Sequence, residues 1–145
     1  MGALVAKAAV AHPKFESYRK LLHTYLSLSG PHLGLKYNTS ATHSLGLWFL
    51  QKFKRSVSLQ QLQLKDSVIS KAELPYVYKL LRLPSLQYFK NTVFVSCAGD
   101  KYVPFHSARI ELSKDAFNDK SDNGLIGRLH NFFYVIFINF RQKFV

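Results

Sequence analysis

Asp100 is the residue best placed to do chemistry. It stands just past a continuous apolar run, Val93-Phe94-Val95, that closes in small residues. Continuous apolarity suits a strand buried on both faces, as in a parallel sheet flanked by helices. In such sheets ligands bind beyond the carboxyl ends of the strands, where a carboxylate at position 100 would lie. The competing reading is an aspartate that merely closes a Gly99-Asp100 turn. Six histidines, at positions 12, 23, 32, 43, 106 and 130, are the available bases. None stands in an HxxxH spacing beside cysteines, and Cys97 is the only cysteine. That pattern gives no reason to expect a metal site, an internal disulfide or a bound cofactor. Ser27, Ser29 and Ser96 lie in or beside apolar runs with no G-x-S-x-G around them, so they are poor nucleophiles.

The elements that must position Asp100 are legible in outline. Gly2–Ala11 is almost entirely small and apolar, which predicts a helix buried on most sides. His12-Pro13 ends it, because a residue before proline is pushed out of the helical region. Phe15, Tyr18, Leu21, Leu22 and Tyr25 fall at helical spacing and predict a second short helix. The alternation around Tyr25–Leu28 reads as a short strand, closed by Gly30-Pro31-His32-Leu33-Gly34. A polar loop over Asn38–Ser44 leads to Leu45, Trp48, Phe49 and Phe53, another helical stripe. From Val57 to Leu86 the pattern is ambiguous: Leu59 and Leu62 suit a helix, as does Tyr76–Arg82, and prolines at 75 and 84 punctuate the segment. The strand Thr92–Cys97 and a helix over Ser107–Phe117 follow. Helix, helix, strand, helical segment, strand, helix is an α/β order with a parallel sheet. Two strands are too few for a free-standing doubly wound fold, so the chain reads as part of a sheet.

With 145 residues, 48% of them hydrophobic and 14% aromatic, the chain can build a real core. Its formal charge is +12, but the basic residues are scattered and do not interleave with aromatics. A solvated positive surface is therefore expected, with no nucleic-acid partner. No charged segment followed by an apolar core and cleavage site opens the chain, which points to the cytoplasm. Phe132–Phe140 is apolar but far short of the about 20 residues a spanning helix needs. It reads as a buried strand or an adhesive tail.

Gly2–Val10, Leu26–Gly34 (LSLSGPHLG), Leu45–Lys54 (LGLWFLQKFK) and above all Tyr88–Glu111 (YFKNTVFVSCAGDKYVPFHSARIE) resemble the putative serine esterase domain of lipase-like α/β-hydrolases. The resemblance is to the C-terminal domain of the family-with-sequence-similarity-135 proteins and to related lipases. It covers residues 1–133, leaving 134–145 as a divergent apolar tail. It implies a partial α/β-hydrolase fold with a parallel sheet flanked by helices. It also implies ester hydrolysis by a Ser-His-Asp triad in which Asp100 is the acid. Met1-Gly2 then become the last two positions of G-x-S-x-G, so the nucleophilic serine falls just before Met1. Gly2 would let helix and strand approach closely, and Met1 would carry an oxyanion-hole N–H. His106 lies within the matching segment, whereas the family's histidine comes in a later loop. His130 could be reached by such a loop, but the tail 134–145 departs from the family pattern, so no residue here fills that slot. His32, Trp48 and Phe49 are candidate pocket residues, although a stripe such as Trp48-Phe49 is more often core.

The expectation is thus a fragment of a lipase-like serine hydrolase, inactive alone, acting in the whole domain on a lipid or other hydrophobic ester. The alternative is a non-catalytic interaction module with peripheral contact to an acidic membrane surface.

Overall fold

The computed structural model describes residues 1–37, 56–66, 74–120 and 124–141. Helix α1 spans Gly2–Ala11, and His12 turns extended at φ −67°, ψ 138° ahead of Pro13. Only Leu4, Lys7 and Val10 of α1 are buried, one residue in three along a single face, while Val5, Ala6 and Ala9 stay exposed. The expected burial on most sides is therefore corrected to one side. The buried side of α1 packs chiefly against the following 3-10 segment and the helix at Tyr76–Arg82.

Residues Pro13–Leu21 form 3-10 turns in place of the expected α-helix, and none of them is buried. The reason lies in the spacing. Phe15, Tyr18 and Leu21 recur every third residue, which eclipses side chains in a 3-10 helix. The Phe15 and Tyr18 rings sit 5.6 Å apart. Leu22 and Tyr25 leave the helix altogether, the latter on strand β1.

Strand β1 (Thr24–Leu28) and strand β2 (Asn91–Val95) pair in parallel, with Leu26 opposite Val93 and Leu28 opposite Val95. Parallel pairing bears out the sequence reading. Burial does not match it, however, because one face of the sheet is covered and the other is wet. Tyr25 and Ser27 point inward, whereas Leu26, Leu28, Val93 and Val95 are 43–69% exposed. A parallel sheet normally carries helices on both faces. Among the described residues only one layer is present.

Helix α2 (Val57–Leu62) and helix α3 (Tyr76–Arg82) fall where the leucine spacing and Tyr76–Arg82 placed them. The helix expected over Ser107–Phe117 is instead two: α4 (Phe105–Arg109) and α5 (Lys114–Asn118). Ile110 divides them at φ 56°, ψ 61°. A β-branched residue in the left-handed region is strained, and burial of its side chain in the core holds it there. Ser113 then opens α5, its Oγ accepting the Ala116 N–H at 3.3 Å. The apolar C-terminal run is corrected from strand or tail to helix α6, Leu125–Arg141. Its buried positions, Gly127, His130 and Phe133, recur every three residues on one face. Phe133 stacks on Tyr78 of α3 at 5.2 Å. Among the described residues no helix is long and apolar enough to cross a membrane.

The core gathers Leu4, Leu33, Leu62, Val77, Tyr78, Leu80, Ile110 and Phe133. Ser107 ties the turn after β1 to α4. Its hydroxyl donates to the Gly34 carbonyl at 2.7 Å and accepts the Leu33 N–H at 3.0 Å, fully buried. The turn after β1 is thereby fixed against α4, the helix that also packs on β2.

Candidate active site

Two loops leave the carboxyl end of the sheet side by side. Ser29 follows β1, and its N–H donates to the Val95 carbonyl at 2.8 Å. Its backbone is left-handed at φ 46°, a conformation non-glycine residues adopt at a cost and that concentrates at functional sites. The loop after β2 brings Asp100 to the same place. Asp100 Oδ1 accepts the N–H of Tyr102 at 2.8 Å and of Val103 at 3.0 Å. Partial burial works to raise its pKa, but those two N–H donors and the Ser29 hydroxyl outweigh it and hold the pKa below its ordinary value. Such donors favour the charged form. Asp100 is therefore a fixed carboxylate at the carboxyl end of two parallel strands. Its partners are backbone N–H groups and a serine, and none of them is a histidine.

Ser29 was passed over in the sequence because no G-x-S-x-G surrounds it. The signal that marks it is the strained backbone, which no residue type announces.

The start of α1 is tied to β1 and to the turn after it. The Tyr25 hydroxyl donates to the Ala3 carbonyl at 2.9 Å. A Cβ on Gly30 would run into Ser27 Oγ and would lie 2.8 Å from Ala3 Cβ and from His32 Nε2. The close helix-to-strand approach expected at Gly2 is thus made at Gly30. At Gly2 an added Cβ would meet nothing within 4 Å. Met1 and Gly2 are both exposed.

His32 is fully buried, which takes it out of any open pocket wall. Its ring meets Phe94 edge-on at 4.8 Å, and Nε2 lies 2.8 Å from Ser27 Oγ. Burial, then the Lys7 ammonium and the chain's own N-terminus, keep its pKa well below the usual histidine value. A serine and a neutral imidazole at this distance have the spacing of a nucleophile and its base. Both are sealed from water, and Nδ1 has no hydrogen-bond partner to orient the ring. The pair is a structural hydrogen bond. Gly30→Ala should break it and push α1 away, costing about 1–3 kcal/mol, the range of an overpacked core site. Urea unfolding of the variant checks this, and an unchanged midpoint would contradict it.

His106 and His130 face each other at 5.2 Å on α4 and α6. Tyr37 covers the His130 ring edge-on at 5.3 Å. Burial, then the neighbouring His106, lower His130 to about 4 against the Glu111 backbone. Burial also lowers His106, with Asp115 opposing. The two rings form a packed pair in the helical layer. Trp48 and Phe49 lie outside the described residues. An apolar cleft of about 300 Å³ instead opens beside the start of α1, lined by Met1, Leu4, Val5, Tyr76, Val77 and Leu80 among others. Among the described residues no three His, Cys, Asp or Glu side chains converge to hold a metal. Cys97, three positions before Asp100, is an exposed free thiol.

Residues 1–115 match the sequence model of a family described as putative serine esterase. No solved structure matches the chain.

Proposed function

The chain belongs to the putative serine esterase family, and from that premise we propose that it is the carboxyl-side part of a lipase-like esterase domain with Asp100 as triad acid. The observation that carries this reading is the fixed, ionised carboxylate of Asp100 at the carboxyl end of parallel strands, beside strained Ser29. Its role is to hold the catalytic imidazole in one tautomer and to stabilise the imidazolium formed during acyl transfer. In this reading Met1-Gly2 end a G-x-S-x-G turn whose serine precedes Met1. The apolar cleft at Met1 takes the acyl chain of a lipid or other hydrophobic ester. Helix α1, opening at that turn, directs its N-terminal backbone toward the developing oxyanion.

Residues 1–145 alone should be inactive, since nucleophile, base and acid act as a unit. The check is a fluorophosphonate probe followed by mass spectrometry of the labelled peptide. No serine of this chain should be labelled. Active-site labelling at Ser27, Ser29 or Ser96 would overturn the assignment of the nucleophile to a position outside the chain.

A second reading, a non-catalytic module at an acidic membrane surface, is favoured by the +12 charge together with the wet apolar sheet face. Binding to anionic vesicles that collapses as salt rises would support it.

A further inference from the structure

Lys7 has no place in the esterase reading. It lies on the buried face of α1 with its Nζ shut off from water and without a hydrogen-bond partner. An unpaired amine in the interior is expensive. Burial holds it down to about 7 from its ordinary 10.5. Lys7 also lines a cavity of about 320 Å³ whose walls include Leu81, Ile110, Phe132 and Phe133. Buried Ser85 and exposed Arg82 and Gln87 are its other polar neighbours. The volume is at the lower end for a small-molecule site. A largely apolar chamber with one orphaned amine and a second cation at its rim has the complement of one kind of ligand.

We infer that this cavity binds a monocarboxylate bearing an apolar chain, with the Lys7 side chain turning to bring its amine to the carboxylate and the chain against Leu81, Ile110, Phe132 and Phe133. The carboxylate supplies the partner the buried amine lacks, and Arg82 at the rim favours entry of an anion. The site is separate from the one around Asp100. Arg82 and Ser85 belong to the segment leading into the amino end of β2, whereas Asp100 follows its carboxyl end. Phe132 and Phe133 also lie beyond the residues that match the esterase family. The inference therefore stands whether or not the esterase reading does.

Calorimetric titration of the chain with decanoate, kept below its micellar concentration, tests it. Decanol supplies the same chain without the charge, and acetate the charge without the chain. Decanoate should bind about tenfold or more tightly than decanol, the worth of one hydrogen bond to a charged group. Acetate should not bind measurably. Lys7→Met keeps the stem and removes the amine, and it should bring decanoate down to the affinity of decanol. Phe132→Ala trims an exposed part of the wall and should weaken decanoate several-fold with the fold intact. Equal binding of decanoate and decanol by the parent chain would overturn the proposal, as would undiminished decanoate binding by a folded Lys7→Met. Should Lys7→Met fail to fold, the decanol comparison and Phe132→Ala decide.

Discussion

The chain should be most stable at an alkaline pH, about 9–10, rather than in the usual window of about 5–8. Lys7 sets the rise. Its amine titrates at about 7 when folded and near 10.5 when unfolded. Between those values the unfolded chain holds a proton that the folded chain has released, so stability climbs with pH. At about 1.4 kcal/mol per pH unit, the climb from pH 7 to 10 amounts to roughly 3–4 kcal/mol. That is a large share of the stability of a small domain. Above pH 10 two tyrosines reverse the trend. Burial pushes Tyr25 up to about 12, against the opposing Ser27 hydroxyl, and raises Tyr78 as well. Both stay protonated in the fold where the unfolded chain ionises, so stability falls.

The acid side falls too. Burial and the neighbouring His106 lower His130 to about 4, so between 6.5 and 4 the unfolded chain takes up a proton the fold refuses. That alone removes roughly 3 kcal/mol. His32 and His106, depressed mainly by burial, act in the same direction. Below about 4 the protonation of Asp100 adds a smaller loss, because its carboxylate is partly solvated. Urea midpoints measured from pH 4 to 11 check the whole profile. Relief of the +12 charge also favours folding as lysines deprotonate, so Lys7→Met is the control. It should be more stable at pH 7 and should lose most of the rise between 7 and 10. A flat profile across that window in the parent chain would refute the lowered pKa of the buried Lys7 amine.

Asp100→Asn should cut acylation by about 10⁴-fold in a polypeptide that supplies the nucleophile ahead of Met1 and a base after the described helices. That is the usual loss when a triad acid can no longer select the imidazole tautomer. The experiment begins by translating the codons directly upstream of Met1. They should encode Gly-x-Ser, and the extended polypeptide should react with a fluorophosphonate at that serine. The asparagine keeps a side-chain oxygen for the Tyr102 and Val103 N–H groups, so the loop should hold its shape. A rate reduced less than tenfold in a folded variant would leave Asp100 as a turn residue. Upstream codons without a serine at that place would remove the esterase reading at its root.

The parallel pair, the position of Asp100 beyond it and the helix at Tyr76–Arg82 were legible in the sequence, and the helix around Leu59 and Leu62 only in outline. Each is a local signal: an apolar run, a spacing, a proline. Ile110 was not legible, because a β-branched residue in a left-handed turn is held by core packing and contradicts its own propensity. Pro13–Leu21 reads as an α-helix because periods of 3 and 3.6 diverge by fewer than two residues over so short a segment. Ser29 and Lys7 were missed for a shared reason. One is marked by a backbone angle and the other by what surrounds its amine, and neither is a property of residue type. His32 stands beside a glycine-proline turn that suggests a pocket, yet its ring is drawn into the layer between α1 and the sheet.

The sheet's uncovered face has a thermal consequence. Leu26, Leu28, Val93 and Val95 already meet water in the fold, so melting newly hydrates less hydrocarbon than a two-layered sheet of this length would. The heat-capacity increment of unfolding scales with that newly exposed area. A smaller increment broadens the curve of stability against temperature. The chain should tolerate cold well, with a modest enthalpy of melting, and anything that dried this face would steepen the curve.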